Sequence, residues 1–112
     1  MARVKSTASR KHRVALKKAR GFGQSRRTRI QTAKEALLHA GQYAYIGRRL
    51  RKRDFRRLWI TRLGAAARQN DTSYSKLISG LKKAKIEINR KILSDIAATD
   101  PATFSKIVSE IK

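Results

Sequence analysis

The sequence predicts an all-α protein in three parts: a basic extended N-terminal arm over residues 1–31, one long helix over 32–69 and a small C-terminal helical domain over 70–112. Three observations carry that expectation. Thr32 to Gln69 contains no proline and consists mostly of good helix formers. Residues 70–112 repeat their apolar side chains at helical spacing in three separate stripes. The one proline of the chain, Pro101, follows Asp100, a pair that starts a helix rather than breaking one.

The arm is basic throughout. Arg3, Lys5, Arg10, Lys11, Arg13, Lys17, Lys18 and Arg20 precede Gly21-Phe22-Gly23, and Arg26, Arg27 and Arg29 follow it. Its large aliphatic side chains between Met1 and Ile30 are Val4, Val14 and Leu16, too few for a core. Glycines on both sides of Phe22 break any helix across them. The expectation is a segment that is disordered alone and ordered on its partner.

For the long helix, Thr32 is read as the N-cap, with Glu35 three positions on completing a capping box. At about 1.5 Å per residue its length is roughly 57 Å. Gly41, Gly47 and Gly64 weaken its continuity. Its middle is unusual: Arg48, Arg49, Arg51, Lys52, Arg53, Arg56 and Arg57 point in almost every direction around the axis. A helix lying on a core shows one apolar stripe instead. The pairs Arg48/Lys52, Arg49/Arg53, Lys52/Arg56 and Arg53/Arg57 are like-charged at i, i+4. Each destabilises an isolated helix by about 0.2–0.5 kcal/mol. Asp54 offsets part of this through Arg51 and Arg57. The middle is therefore expected to fray in free solution and to firm up where phosphates replace water.

Globular patterning returns after Asn70-Asp71. Tyr74, Leu77, Ile78 and Leu81 form one stripe; Ile88, Ile92, Leu93 and Ile96 a second; Phe104, Ile107, Val108 and Ile111 a third. Ser73 is expected to cap the first of these helices and Asp100 the last. Three short helices bury little surface by themselves. The end of the long helix, from about residue 58 through Leu58, Trp59, Ile60 and Leu63, is therefore expected to form a fourth wall. Ala65, Ala66 and Ala67 would permit close approach there. The picture is a helical knob on a basic stalk.

Charge selects the function. The chain carries 29 Lys and Arg against 7 Asp and Glu, a formal net charge of +22 on 112 residues. Residues 1–68 hold 21 basic and 2 acidic side chains, and none of the acids precedes Glu35. Such self-repulsion destabilises a compact chain and points to a polyanionic partner. No run of about 18 apolar residues exists to span a bilayer, and the basic segments lack the apolar face of an interfacial helix. The start MARVKSTASRKHR has no hydrophobic segment of a secretory signal. The expectation is a cytoplasmic protein, although an Arg- and Ser-rich start also fits an organellar transit peptide. The chain has no cysteine, which excludes disulfides and thiolate chemistry.

Catalysis finds no support. His12 and His39 stand alone, and no phosphate loop or metal-ligand spacing is present, so no enzyme, cofactor, metal or small-molecule substrate is expected. Nucleic-acid binding is well supported. Arginine, whose planar fork grips phosphates and stacks on bases, supplies 15 of the 21 basic residues in positions 1–68. Phe22, Tyr43, Tyr45, Phe55 and Trp59 lie among those charges and could stack on unpaired bases. For Trp59 and Phe55 core packing is the competing role. A glycine-broken arm suits threading between the helices of a folded RNA better than reading duplex DNA.

The run QYAYIGRRLRKRDFRRLWITRLGAAAR, residues 42–68, closely resembles the bacterial-type large-subunit ribosomal protein family L-twenty. So do the opening MARVK and the segment SYSKLISGLKKAKIEINRKILSDIAATDPATF, residues 73–104. The resemblance covers essentially the whole chain. It implies a structural protein of the large ribosomal subunit that binds large-subunit (23S-type) rRNA directly, promotes early subunit assembly and contacts neighbouring ribosomal proteins. Some members of the family also bind their own messenger RNA and repress its translation. The resemblance implies RNA contacts at Arg3, Lys5, Arg10, Lys11, His12, Arg13, Lys17, Lys18 and Arg20. Further contacts fall on the run from Arg48 and Arg49 through Arg51, Lys52 and Arg53 to Arg56 and Arg57. In the C-terminal domain it implies Lys82, Lys83, Asn89, Arg90 and Lys91. Phe22, Arg26, Arg27 and Arg29 complete the candidate set from the residues of the arm itself. The chain departs from the family pattern at Phe22-Gly23-Gln24, where an aromatic, a basic residue and a glycine are expected, and at Gly47 and Gly64, where bulkier residues are.

Overall fold

A computed structural model of the chain describes residues 6–112. The order of elements is α1 (Thr7–Lys18), a short 3₁₀ turn (Gln24–Arg27), α2 (Ile30–Gln69), α3 (Tyr74–Lys83), α4 (Arg90–Thr99) and α5 (Pro101–Glu110). The all-α expectation holds, with no strand among the described residues. Contacts divide the chain into two compact units, one ending at Arg49 and the other beginning at Leu50, and α2 passes from one into the other.

The first unit corrects the extended arm. Residues 7–18 form α1, started by the Ser6 hydroxyl, which accepts a hydrogen bond from the Ser9 N–H at 3.2 Å. Lys17 and Lys18 in its last turn suit the negative end of the helix dipole. The Gly-Phe-Gly break does fall as expected. Gly21 adopts φ 84°, a left-handed conformation that a side chain would oppose, and the Phe22 N–H donates to the Ala19 carbonyl. Ala19 and Ala33 are both fully buried, with Leu16, Phe22 and Ile30 half-buried. Small residues thus supply the packing that a count of large aliphatics misses.

The start of α2 also differs from expectation. The helix begins at Ile30, so Thr32 lies inside its first turn and does not cap it. The Thr32 hydroxyl donates instead to the carbonyls of Ser25 at 3.0 Å and Arg29 at 3.1 Å. The Ser25 carbonyl also accepts the backbone N–H groups of Thr28 and Arg29, so one oxygen joins the 3₁₀ turn to the helix. Glu35 consequently closes no capping box. Downstream, α2 runs without interruption through Gly41, Gly47, Gly64 and the whole basic run. The like-charged pairs all lie on this one helix with their side chains exposed to water.

In the second unit Leu63, Ala66 and Ala67 of α2 join Leu77 and Leu81 of α3, Leu93 of α4, and Phe104 and Val108 of α5 in one buried core. Tyr74, Ile78, Ile86, Ile88, Ile96, Ile107 and Ile111 pack on its edge. The fourth wall exists but starts at Leu63: Leu58 is 40% exposed, Trp59 and Ile60 are half-buried outside the core, and Ala65 is exposed. Ile92, expected in the second stripe, is 51% exposed. Ser73, Asn89 and Asp100 cap α3, α4 and α5 through hydrogen bonds from the N–H groups of Lys76, Ile92 and Thr103. Two helix ends close alike. After α2 the Thr72 N–H reaches the Ala67 carbonyl, and after α3 the Ile86 N–H reaches Leu81, with Asp71 and Lys85 at positive φ between. Ile86 thereby returns to the core.

Candidate nucleic-acid interface

Arg3 and Lys5 lie outside the described residues. In the first unit α1 exposes Arg10, Lys11, His12, Arg13, Lys17 and Lys18, and the turn region exposes Arg20, Arg26, Arg27 and Arg29. Arg48 and Arg49 are exposed on α2 in the same unit. In the second unit α2 exposes Arg51, Lys52, Arg53, Arg56 and Arg57.

Few carboxylates answer them. Among the described residues the Asp54–Arg57 contact is the one Lys or Arg ion pair, at 4.0 Å and with both side chains largely exposed. Arg51 does not join Asp54 as expected. An exposed pair of this kind contributes about 0–1 kcal/mol, so it neutralises little. The remaining cations are available to an external anion.

Arginines also cover aromatic rings along α2. The Arg49 guanidinium lies 4.8 Å from the Tyr45 ring centre, and that of Arg51 lies 5.6 Å from the Phe55 ring centre. Phe55 in turn stacks on Trp59, with ring centres 6.2 Å apart and planes inclined by 24°. Neither ring belongs to the buried core. Arg51, Phe55 and Trp59 therefore present successive flat groups at i, i+4 and i+8, a surface on which planar bases can stack.

The C-terminal candidates differ among themselves. Lys82, Lys83 and Lys91 are exposed. Arg90 is half-buried, and its Nε–H donates to the Tyr74 hydroxyl at 2.8 Å, which fixes the direction of its fork. The Asn89 side-chain oxygen accepts the Ile92 N–H at 2.9 Å, leaving its NH₂ group to donate elsewhere. Sequence reading missed Lys76 and Lys112, which line a groove of about 280 Å³ with Lys83, Ser79 and Thr72. Only the packing of α3 against the end of α5 brings these residues together, and no local spacing signals it.

Sequence reading also missed the convergence of Phe22, Glu35, His39 and Tyr43 on a groove of about 740 Å³ in the first unit. Among the described residues no group of three or more His, Cys, Asp or Glu could hold a metal ion, and no helix is long and apolar enough to cross a membrane.

Residues 2–107 match the family profile described as Ribosomal protein L20. The chain is 55% identical over 115 residues to the large ribosomal subunit protein bL20 of Oceanobacillus iheyensis, an alignment covering all of this chain and 97% of that protein. It is 53% identical over 114 residues to the proteins of the same name from Staphylococcus saprophyticus and Staphylococcus epidermidis, again over the whole chain and 97% of each relative.

Proposed function

The chain belongs to the ribosomal protein L20 family of the large ribosomal subunit, and from that premise we propose that it binds large-subunit rRNA directly and acts early in subunit assembly. The observation that carries this reading is the surface of unpaired cations: along α1, the turn region and the basic run of α2, Arg57 alone among the described Lys and Arg side chains has a carboxylate partner. Relatives named as ribosomal proteins form a family that is not known to be enzymatic, which agrees with the lack of a catalytic constellation in the sequence.

Arginine forks on α1 and α2 neutralise phosphates where RNA helices converge, releasing their counterions. Exposed Tyr43, Tyr45 and Phe55 hold unpaired bases by stacking. In the second unit the core fixes α3 and α4, so Lys82, Lys83, Arg90 and Lys91 meet RNA from a defined frame. The same helices are proposed to engage the protein's own messenger, since their core is complete without residues of the first unit. Neighbouring large-subunit proteins are the other proposed partners.

Competition binding at about 0.2–0.3 M salt, where purely electrostatic association is weak, tests the reading. A folded large-subunit rRNA fragment is expected to retain the protein against excess unrelated RNA and duplex DNA. Equal loss to any competitor would leave only a nonspecific polycation.

A further inference from the structure

The groove in the first unit carries more than charge. Phe22 in the turn region and Tyr43 on α2 form its aromatic walls, and Ala36 and Ala40, between them on one face of α2, leave its floor open. Its volume of about 740 Å³ lies within the usual range of about 300–1,000 Å³ for small-ligand sites. Tyr43 is 73% exposed, although a large aromatic ring at a site without a partner is ordinarily better covered.

The polar side chains at this groove are Arg26, Thr32, Glu35 and His39, with the Tyr43 hydroxyl, and the Thr32 hydroxyl is already engaged by the Ser25 and Arg29 carbonyls. Glu35 is the unexpected one. It is the only carboxylate before Asp54, and a phosphate site would exclude it. Its one ion-pair partner among the described residues is His39 at 3.8 Å, and the Glu35 side chain stays 70% exposed. Since α2 begins at Ile30, Glu35 has no capping duty. Its two oxygens are acceptors in want of N–H donors.

We propose that this groove takes an unpaired guanine, held by stacking against Phe22 or Tyr43 and read by Glu35. Among the four RNA bases, guanine alone presents two adjacent donors, N1–H and N2–H, on its Watson–Crick edge, and one carboxylate matches both. Adenine and cytosine place a ring-nitrogen acceptor beside their amine, which repels a carboxylate. Uracil offers a single N–H between two carbonyls. Arg26 completes the match, because guanine O6 and N7 are acceptors that suit a guanidinium fork. The proposal rests on the rRNA-binding reading and deepens it, adding recognition of a base edge to a surface otherwise fit for phosphates and for stacking that does not distinguish bases.

Kethoxal, which modifies N1 and N2 of unpaired guanines, provides the test on full-length protein bound to a large-subunit rRNA fragment. One guanine is expected to be protected by the unaltered protein and to regain reactivity with Glu35→Ala, while the footprint on phosphates elsewhere persists. Glu35→Gln, which keeps one acceptor, should restore reactivity in part. Replacing that guanine by adenine should weaken binding roughly tenfold, with no further loss on Glu35→Ala. A footprint in which no guanine responds to Glu35 overturns the proposal and leaves the rRNA reading standing. No footprint at all removes both.

Discussion

Gly80 of α3 faces Ile111, just beyond α5, so closely that a methyl group at Gly80 would lie 3.0 Å from Ile111 Cβ and 3.1 Å from its carbonyl oxygen. Both of those atoms are tied to the backbone, and Val108 one turn earlier is buried and anchors α5. Room for a side chain therefore requires the end of α5 to move. Overpacking of this kind costs about 1–3 kcal/mol, and the better helix propensity of alanine returns about 1. Gly80→Ala is expected to lose about 1 kcal/mol net. Gly47→Ala, with nothing within 4 Å of the added carbon, should gain about 0.5–1 kcal/mol in helix stability. Urea denaturation followed by residue-resolved amide signals in α3 and in α2 separates the two. A higher midpoint for Gly80→Ala would show that the chain end yields.

The Asp100 carboxylate gives the C-terminal helices a pH dependence. It accepts hydrogen bonds from the Thr103 hydroxyl and from the Thr103 N–H, and these hold its pKa below the ordinary aspartate value, with help from Lys106. A carboxylate depressed in the folded state stabilises the fold above its unfolded pKa, about 3.9. That stabilisation is lost as pH falls through the lower folded value. Unfolding of α5 is thus expected to become easier at acid pH below about 4, and Thr103→Val should shrink that dependence. Equal acid sensitivity in both proteins would assign it to other carboxylates.

Why the two ends of the chain differed in legibility is a matter of what each signal encodes. Apolar spacing foresaw α3 to α5 because burial of one helix face is local and periodic, and Ser73, Asp100 and Pro101 marked starts by side-chain chemistry alone. Charge density likewise marked the exposed run from Arg48 to Arg57. The helix α1 was hidden because none of its own residues is buried: the buried side chains of the first unit are Ala19, just beyond its end, and Ala33 on α2, whose small area gives no periodic signal. Thr32 and Glu35 fit a capping box by spacing, yet the helix starts two residues earlier once the Ser25 carbonyl gathers the Thr28, Arg29 and Thr32 donors. That relationship spans seven residues and exists only in the folded turn. The grooves around Glu35 and Lys112 join still more distant positions and leave no trace in local pattern.

Tyr74 and Arg90 offer a test of preorganisation. Removing the hydroxyl in Tyr74→Phe deletes the 2.8 Å bond to the Arg90 Nε while keeping the ring on the edge of the core. The stability loss should be modest, about 0.5–1.5 kcal/mol. If Arg90 binds RNA, freeing its fork should weaken that contact as well, because a guanidinium held in place loses less entropy on binding. Affinity for the rRNA fragment is expected to fall by a few-fold in Tyr74→Phe and by no further amount when Arg90→Ala lacks the same hydroxyl. Independent, additive losses would separate the two side chains.

Arg48 and Arg49 decide whether the basic run acts through phosphates. Both are exposed, and neither has a carboxylate partner among the described residues, so their removal leaves no unpaired acid behind. Arg49 gives up its position over Tyr45, an exposed contact worth about 0.5–1 kcal/mol. Alanine also favours the helix and relieves the like-charge pairs with Lys52 and Arg53. Stability should therefore change little, while binding should change in a specific way. Each phosphate contact contributes about 0.7–0.9 to the slope of log affinity against log salt. The double variant Arg48→Ala, Arg49→Ala is expected to flatten that slope by roughly 1.4–1.8 and to weaken every RNA alike, because phosphates carry no sequence. A loss of affinity with the slope unchanged would mean that these arginines read bases or shape, and an unchanged affinity would remove them from the interface.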